Sequence, residues 1–169
     1  HKNFDIIPHL SLKLKQNGYN VNFNLTISES EYLYSLLLES KKLGVLDTIN
    51  NKGPFEHNEA LALYLDADII FQPSLLEVFS TSYIEAIAVN KPLIVADLPF
   101  SLFFCKDYAF YFNPGDVDSA YNVIINVINN NIISNNRNSK SLLEKYGDQK
   151  QRFTKIYKKK KKISGVNNV

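Results

Sequence analysis

Glu77 and Glu85 are the residues whose type and spacing could do chemistry, within Gln72-Pro73-Ser74-Leu75-Leu76-Glu77-Val78-Phe79-Ser80-Thr81-Ser82-Tyr83-Ile84-Glu85-Ala86. On one helix, side chains at this spacing differ by about 80° at 3.6 residues per turn, too far apart to share a ligand atom. Different roles follow if Glu77 lies in a loop after a strand and Glu85 in the next helix. One carboxylate then faces a ligand at the helix mouth and the other reaches around its side. Between them, Phe79 to Ser82 would present backbone N–H groups at a helix N-terminus, a ready site for a diphosphate. The dipole term there is about 0.3–1 kcal/mol, whereas a hydrogen bond to a charged carboxylate is worth about 1.5–3 kcal/mol. The glutamates should therefore select the ligand and the helix end should position it. Two plainer readings stand beside this one. Ser82-Tyr83-Ile84-Glu85 also fits a capping box, and Glu77 alone reads as a surface loop acid.

The elements that must position these residues alternate along the chain. Phe4 to Lys15 has the apolar stripe Ile7, Leu10, Leu14 of a helix, with Pro8 tolerable in the first turn and Gly18 as the stop. Tyr19 to Ile27 alternates as a strand near a sheet edge, and Glu31 to Lys42 returns to helical spacing before Gly44. A short strand at Thr48 to Asn51 closes at Gly53-Pro54, and Asn58 caps a helix through Tyr64. Asp68 to Phe71 and Leu93 to Ala96 are continuous apolar runs, as in strands covered on both faces. Helices are expected at Thr81 to Val89, near Leu102, at Val117 to Asn130 and at Asn138 to Tyr157, with a strand at Ala109 to Phe112. Strands separated by helices in this way imply right-handed crossovers, an α/β class and a Rossmann-like doubly wound parallel sheet. Ligands of such sheets bind outside the strands' carboxyl ends, which directs attention to the segments after Phe71 and Ala96.

Composition removes several function classes. Lys+Arg total 19 against 17 for Asp+Glu, so no basic face argues for nucleic acid. The 45% hydrophobic content suffices for one core, expected over residues 1–157, and residues 158–169 are expected to form a basic, disordered tail. Cys105, beside Phe103 and Phe104, reads as a buried apolar side chain in a cytoplasmic protein. No apolar run approaches the ~18 residues of a membrane span. No Cys/His cluster could hold a metal, so neither metal nor cofactor is expected. His57 reads as a loop residue, and His1 and His9 have no partner carboxylate at a recognisable spacing. A first residue other than Met, and a helical pattern with no strand before it, lead us to expect an excised piece whose first strand lies upstream.

The segment around the two glutamates resembles the E-x7-E motif of family 4 (group 1) retaining glycosyltransferases, usually P-S-x-x-E-G-F-G-x-x-x-x-E-A. Pro73, Ser74, Glu77, Phe79, Glu85 and Ala86 match in register. Gly53, Tyr64, Ala67 and Asp68 occupy the places of its lead-in. Ala88 to Asp97 is similar to its A-x-G-x-P-V-I-x-x-D, and Asn113 to Asp116 to its P-x-D turn. The resemblance implies the C-terminal, donor-binding half of a GT-B fold. It implies that Glu77, the catalytic candidate, binds the donor sugar with Val78 and Phe79. Lys2, Ser80, Thr81 and Glu85 would bind the nucleotide, with Glu85 on the ribose diol and the Ser80 and Thr81 amides on the diphosphate. Lys2 also reads as a solvated lysine near a terminus. The family's partner arginine would fall upstream of residue 1, as this chain has no Arg before Arg137.

The implied activity is transfer of a sugar from a nucleotide-diphospho-sugar to a glycan or lipid-linked acceptor with retention, together with an N-terminal acceptor domain absent from this chain. Val78, Ser80 and Asn90 replace three family glycines. Asn accepts a left-handed backbone readily, whereas β-branched Val78 does not. Lys158, Lys159, Lys160, Lys161 and Lys162 read as a solvated tail or as a contact with anionic lipid at the inner face of the cell membrane. A sugar-nucleotide epimerase of the same fold is the alternative. A receiver-like signalling domain, suggested by Lys91-Pro92, is disfavoured because that pair precedes its strand.

Overall fold

The computed structural model describes residues 1–56, 58–78, 80–132 and 139–146. Its first helix, α1 (Ile6–Gln16), buries the anticipated stripe of Ile7, Leu10 and Leu14. Pro8 falls in the first turn, where its missing N–H removes no intrahelical bond. Strand β1 (Phe23–Leu25) is shorter than the alternation predicts, because its ladder partner β2 (Ile49–Asn51) is itself only three residues long. Beyond the ladder, the Asn51 side chain takes over, accepting from Ile27 N at 3.0 Å and donating to Ile27 O at 2.9 Å. Between these strands α2 (Glu31–Lys42) matches its predicted span, with Ser30 Oγ accepting from Leu33 N at its start.

Helix α3 (Ala60–Asp66) begins after Asn58, which does not cap it. The preceding turn is held instead by Glu59, whose carboxylate accepts from Glu56 N at 2.7 Å. There follow β3 (Ile70–Gln72), α4 (Thr81–Ala88), β4 (Leu93–Ala96), α5 (Pro99–Cys105), β5 (Phe110–Phe112) and α6 (Val117–Asn129). The Asp116 side chain caps α6 by accepting from Ser119 N at 2.9 Å. The last described helix is α7 (Ser139–Tyr146). The rest of the helix expected to Tyr157, and the Lys158 to Lys162 block, lie outside the described residues.

The α/β class with parallel strands is as anticipated, yet the sheet is not continuous. β1 pairs parallel with β2, and β3 pairs parallel with β4, which pairs parallel with β5. No ladder joins β1 to β3. Two helical layers cover the strands: α1 and α6 pack on one core with Ile94, Ala96 and Phe112, and α4 and α7 contribute to the other with Leu93 and Val95. Cys105 is fully buried and its thiol is pushed up to about 12 by desolvation, consistent with a packing role.

The turn from α4 into β4 depends on Asn90, whose φ of 58° lies in the left-handed region. Asn tolerates this conformation where a β-branched residue does not. The Asn90 Oδ1 atom is also buried without a partner among the described residues. Asn90→Gly is therefore expected to raise the thermal midpoint. Asn90→Val should lower it by several degrees, since left-handed backbone costs about 1–2 kcal/mol at such a residue and each kcal/mol shifts the midpoint by about 2–4 °C at this size. Equal midpoints for the two variants in calorimetry would show that the turn does not impose the conformation.

Candidate functional site

Residues distant in sequence meet beyond the carboxyl end of β3. Leu75 N donates to the His1 carbonyl at 2.7 Å, fastening the N-terminal segment to the loop that follows β3. Lys2 Nζ then reaches Glu77 Oε1 at 2.5 Å, and Ser74 Oγ donates to the same oxygen at 3.0 Å. The Glu77 side chain keeps 11% of its surface exposed and that of Lys2 keeps 41%. The carboxylate is thus largely enclosed, with its cation facing water. Tyr83, the third residue of α4, lies beneath: its hydroxyl is buried and without a partner among the described residues. Desolvation, then Cys105, then the charge of Glu77 push the Tyr83 phenol up.

Ser80 stands at the N-cap of α4 with extended backbone, and its side chain accepts no bond from the helix. The N–H groups at the start of a helix have no intrahelical acceptor, so the amides at Thr81 and Ser82 are left for another partner. Val78 is 93% exposed. Among the described non-glycine residues positive φ occurs at Asn3, Asn90, Lys106 and Asn131, so Val78 replaces a glycine without backbone strain. Phe79 and His57 lie outside the described residues.

Glu85 sits within α4 and is 7% exposed. The Tyr64 side chain, near Ser82, lies close enough to feel its charge. Desolvation raises the Tyr64 phenol well above its ordinary range, and the Glu85 charge adds to this. The capping-box reading fails here, because the N-cap is Ser80 and Ser82 lies inside the helix. Glu77 is thus held by Lys2 and Ser74, and Glu85 is buried within α4. A groove of about 770 Å³ touches Tyr64 but neither glutamate.

Sequence reasoning placed Ser74 and Tyr64 in motifs without giving them work. A serine three residues before the acid, and a tyrosine in the preceding helix, were the available signals. No three His, Cys, Asp or Glu side chains gather as a metal site among the described residues.

Residues 1–150 match the family described as glycosyl transferases group 1. The chain belongs to this family. It is 32% identical over 129 residues to the O-antigen chain mannosyltransferase RfbU of Salmonella typhimurium, covering 75% of this chain and 35% of that protein. The chain therefore spans about a third of the length of that curated relative. The fold recurs in Anabaena HepE solved with UDP and glucose, with a TM-score of 0.72 and 18% identity over 98% of this chain and 45% of that one. It recurs in the catalytic domain of the Helicobacter pylori cholesterol-α-glucosyltransferase, at TM-score 0.69 and 22% identity, over 85% of this chain and 90% of that one. These likenesses establish a GT-B-type α/β fold for this group 1 glycosyltransferase chain.

We expect the Tyr64 phenol to serve the buried Glu85 carboxylate as a donor. Tyr64→Phe removes one oxygen and is expected to cost about 1–3 kcal/mol in urea unfolding, the penalty of leaving a buried acceptor short of a partner. A loss indistinguishable from zero would mean that water already serves Glu85.

Proposed function

We propose that this chain binds the donor of a retaining glycosyltransferase, as the C-terminal half of a GT-B enzyme whose N-terminal half supplies the acceptor site. The ion pair of Lys2 and Glu77, on the segment that leads into the uncapped start of α4, carries this reading, because it joins a cation and a carboxylate just ahead of helix-end amides in the chain. A nucleotide-diphospho-sugar uses all three. The Ser80 and Thr81 amides meet the diphosphate, Lys2 turns from Glu77 to a phosphate oxygen, and Glu77 accepts from sugar hydroxyls beside Val78 and Phe79. Glu85 takes the ribose diol in place of Tyr64. HepE, solved with UDP and glucose on the same fold, supports a donor of this class.

In transfer, the bond from the anomeric carbon to the diphosphate oxygen breaks and a bond to an acceptor hydroxyl oxygen forms on the same face. The acceptor's proton leaves with the diphosphate. The chain's contribution is positioning and stabilisation of charge on the leaving group. The relative RfbU, an O-antigen chain mannosyltransferase, supports a glycan acceptor; a lipid-linked acceptor met in the cytoplasm is part of the proposal. Lys158 to Lys162 would then draw the enzyme to anionic lipid at about 1 kcal/mol per lysine. Deleting residues 158–162 should reduce sedimentation with anionic liposomes, and unchanged binding rejects that contact.

The decisive test is a thermal-shift panel of UDP, GDP, ADP and their sugars on the wild-type chain and Glu85→Ala. At least one nucleotide should raise the wild-type midpoint, with the shift reduced or lost in the variant. No shift with any nucleotide would overturn the proposal, and detectable sugar transfer by these 169 residues alone would overturn the two-domain requirement.

A further inference from the structure

Buried serines in this chain put their hydroxyls to different uses. Ser40 Oγ donates to the Leu36 carbonyl within its own helix, and Ser101 Oγ donates to the carbonyls of Ala96 and Leu98. These bonds satisfy local backbone and need no ligand to explain them. Ser74 is 1% exposed, yet its hydroxyl goes to a side chain, donating to Glu77 Oε1 at 3.0 Å. A buried donor aimed at a candidate binding acid is a different kind of expenditure.

The position of that hydroxyl comes from the sheet. Ser74 follows β3 after one residue, the buried Pro73. The proline ring fixes φ at Pro73, which limits the path from strand to hydroxyl. β3 in turn takes its register from β4, with Gln72 opposite Val95. Lys2 holds the same Oε1 on other terms: its side chain is 41% exposed and its ammonium rides on a flexible four-carbon stem. When the ammonium leaves for a phosphate oxygen, as in the donor complex described above, Ser74 is the donor that stays.

Two donors on one oxygen leave the other uncommitted. Among the described residues none hydrogen-bonds Glu77 Oε2. An ionised carboxylate offers about four lone-pair sites on its two oxygens, and Lys2 and Ser74 both draw on Oε1. The last torsion of a glutamate is broad and roughly two-fold, so the carboxylate plane turns easily unless a fixed donor stops it. Ser74 is such a donor.

We propose, resting on the reading of Glu77 as the sugar-binding acid, that Ser74 is a positioning residue: by holding Oε1 it dedicates Oε2 of Glu77 to the hydroxyls of the donor sugar. Ser74 itself touches no ligand. Its effect falls on the sugar and not on the nucleotide, which binds through other groups.

The test is calorimetric titration of matched pairs, UDP with UDP-glucose and GDP with GDP-mannose, on wild type, Ser74→Ala, Glu77→Ala and the double variant. The quantity read is the affinity for the sugar-bearing ligand divided by that for its bare nucleotide, in whichever pair binds. Division cancels changes at the phosphates, including those from a Lys2 that has lost its partner. Ser74→Ala should lower the ratio about three- to tenfold, part of the effect of losing a hydrogen bond to a charged group. Glu77→Ala should lower it at least as far, and the double variant no further than Glu77→Ala alone. Ser74→Cys, close in size but a weak donor, should act as Ser74→Ala does and replaces it if the alanine variant does not fold. A ratio lowered by Glu77→Ala but untouched at Ser74, with both affinities changed equally or not at all, would overturn the proposal while the donor-binding reading stands. Additive losses in the double variant would also overturn it, since Ser74 would then act independently of Glu77. A ratio that neither single variant moves, or no binding of either pair, would sink the donor-binding reading and this proposal together.

Discussion

Strand β4 holds the rest of the molecule in place because its four consecutive side chains are buried and divide between two cores. Leu93 and Val95 enter the core built on α4 and α7, while Ile94 and Ala96 enter the one built on α1 and α6. Period-two alternation makes this division unavoidable once both faces are covered, and a one-residue slip would exchange every partner. Register passes from β4 to its neighbours: Ile70 pairs with Leu93 on one side, and Ile94 pairs with Phe110 on the other. The end of β3, and so the height of Ser74 and Glu77 above the sheet, is fixed by a strand that carries no candidate binding group.

From that fixed rim the loop after β3 reaches back to the other end of the chain. Ser74 is buried, Leu75 holds His1, and Glu77 is enclosed by Lys2 and Ser74. A surface ion pair alone contributes little. Here a backbone bond two residues away already orders both partners, so less conformational entropy is lost in forming the pair. The loop and the N-terminal segment behave as one rim.

Much of this was legible in the sequence where a local pattern had a local cause. The span of α2 is marked by Ser30 before it and Gly44 after it, and four consecutive apolar residues mark β4. The separate stations of Glu77 and Glu85 followed from their spacing and the helix start between them. What escaped depended on partners far along the chain. Asn58 resembles a cap, but nothing local showed that Glu59 would fold back on Glu56 instead. The alternation from Tyr19 to Ile27 was real, yet ladder length was set by a three-residue β2. The sheet's division between β1 and β3 leaves no trace in either strand, because an edge strand and an inner strand can share one pattern. Nor could spacing reveal that Tyr64 of α3 would come to lie beside Glu85 of α4.

The closure of both carboxylates is itself a constraint on how a ligand could be received. A buried carboxylate without a donor costs more than an exposed one, so Glu85 cannot simply wait uncovered inside α4. A phenol such as that of Tyr64 offers one donor, whereas a vicinal diol offers two hydroxyls. In the proposed complex the diol would therefore satisfy the buried carboxylate more fully than a single phenol could. At Glu77 the logic differs, because its cation is the more exposed partner and can leave toward water or an anion while Ser74 keeps its hold on the oxygen. Under the proposed donor binding the two acids would respond in opposite ways: one would take on donors from a neutral diol, and the other would release a cation that an incoming anion can use.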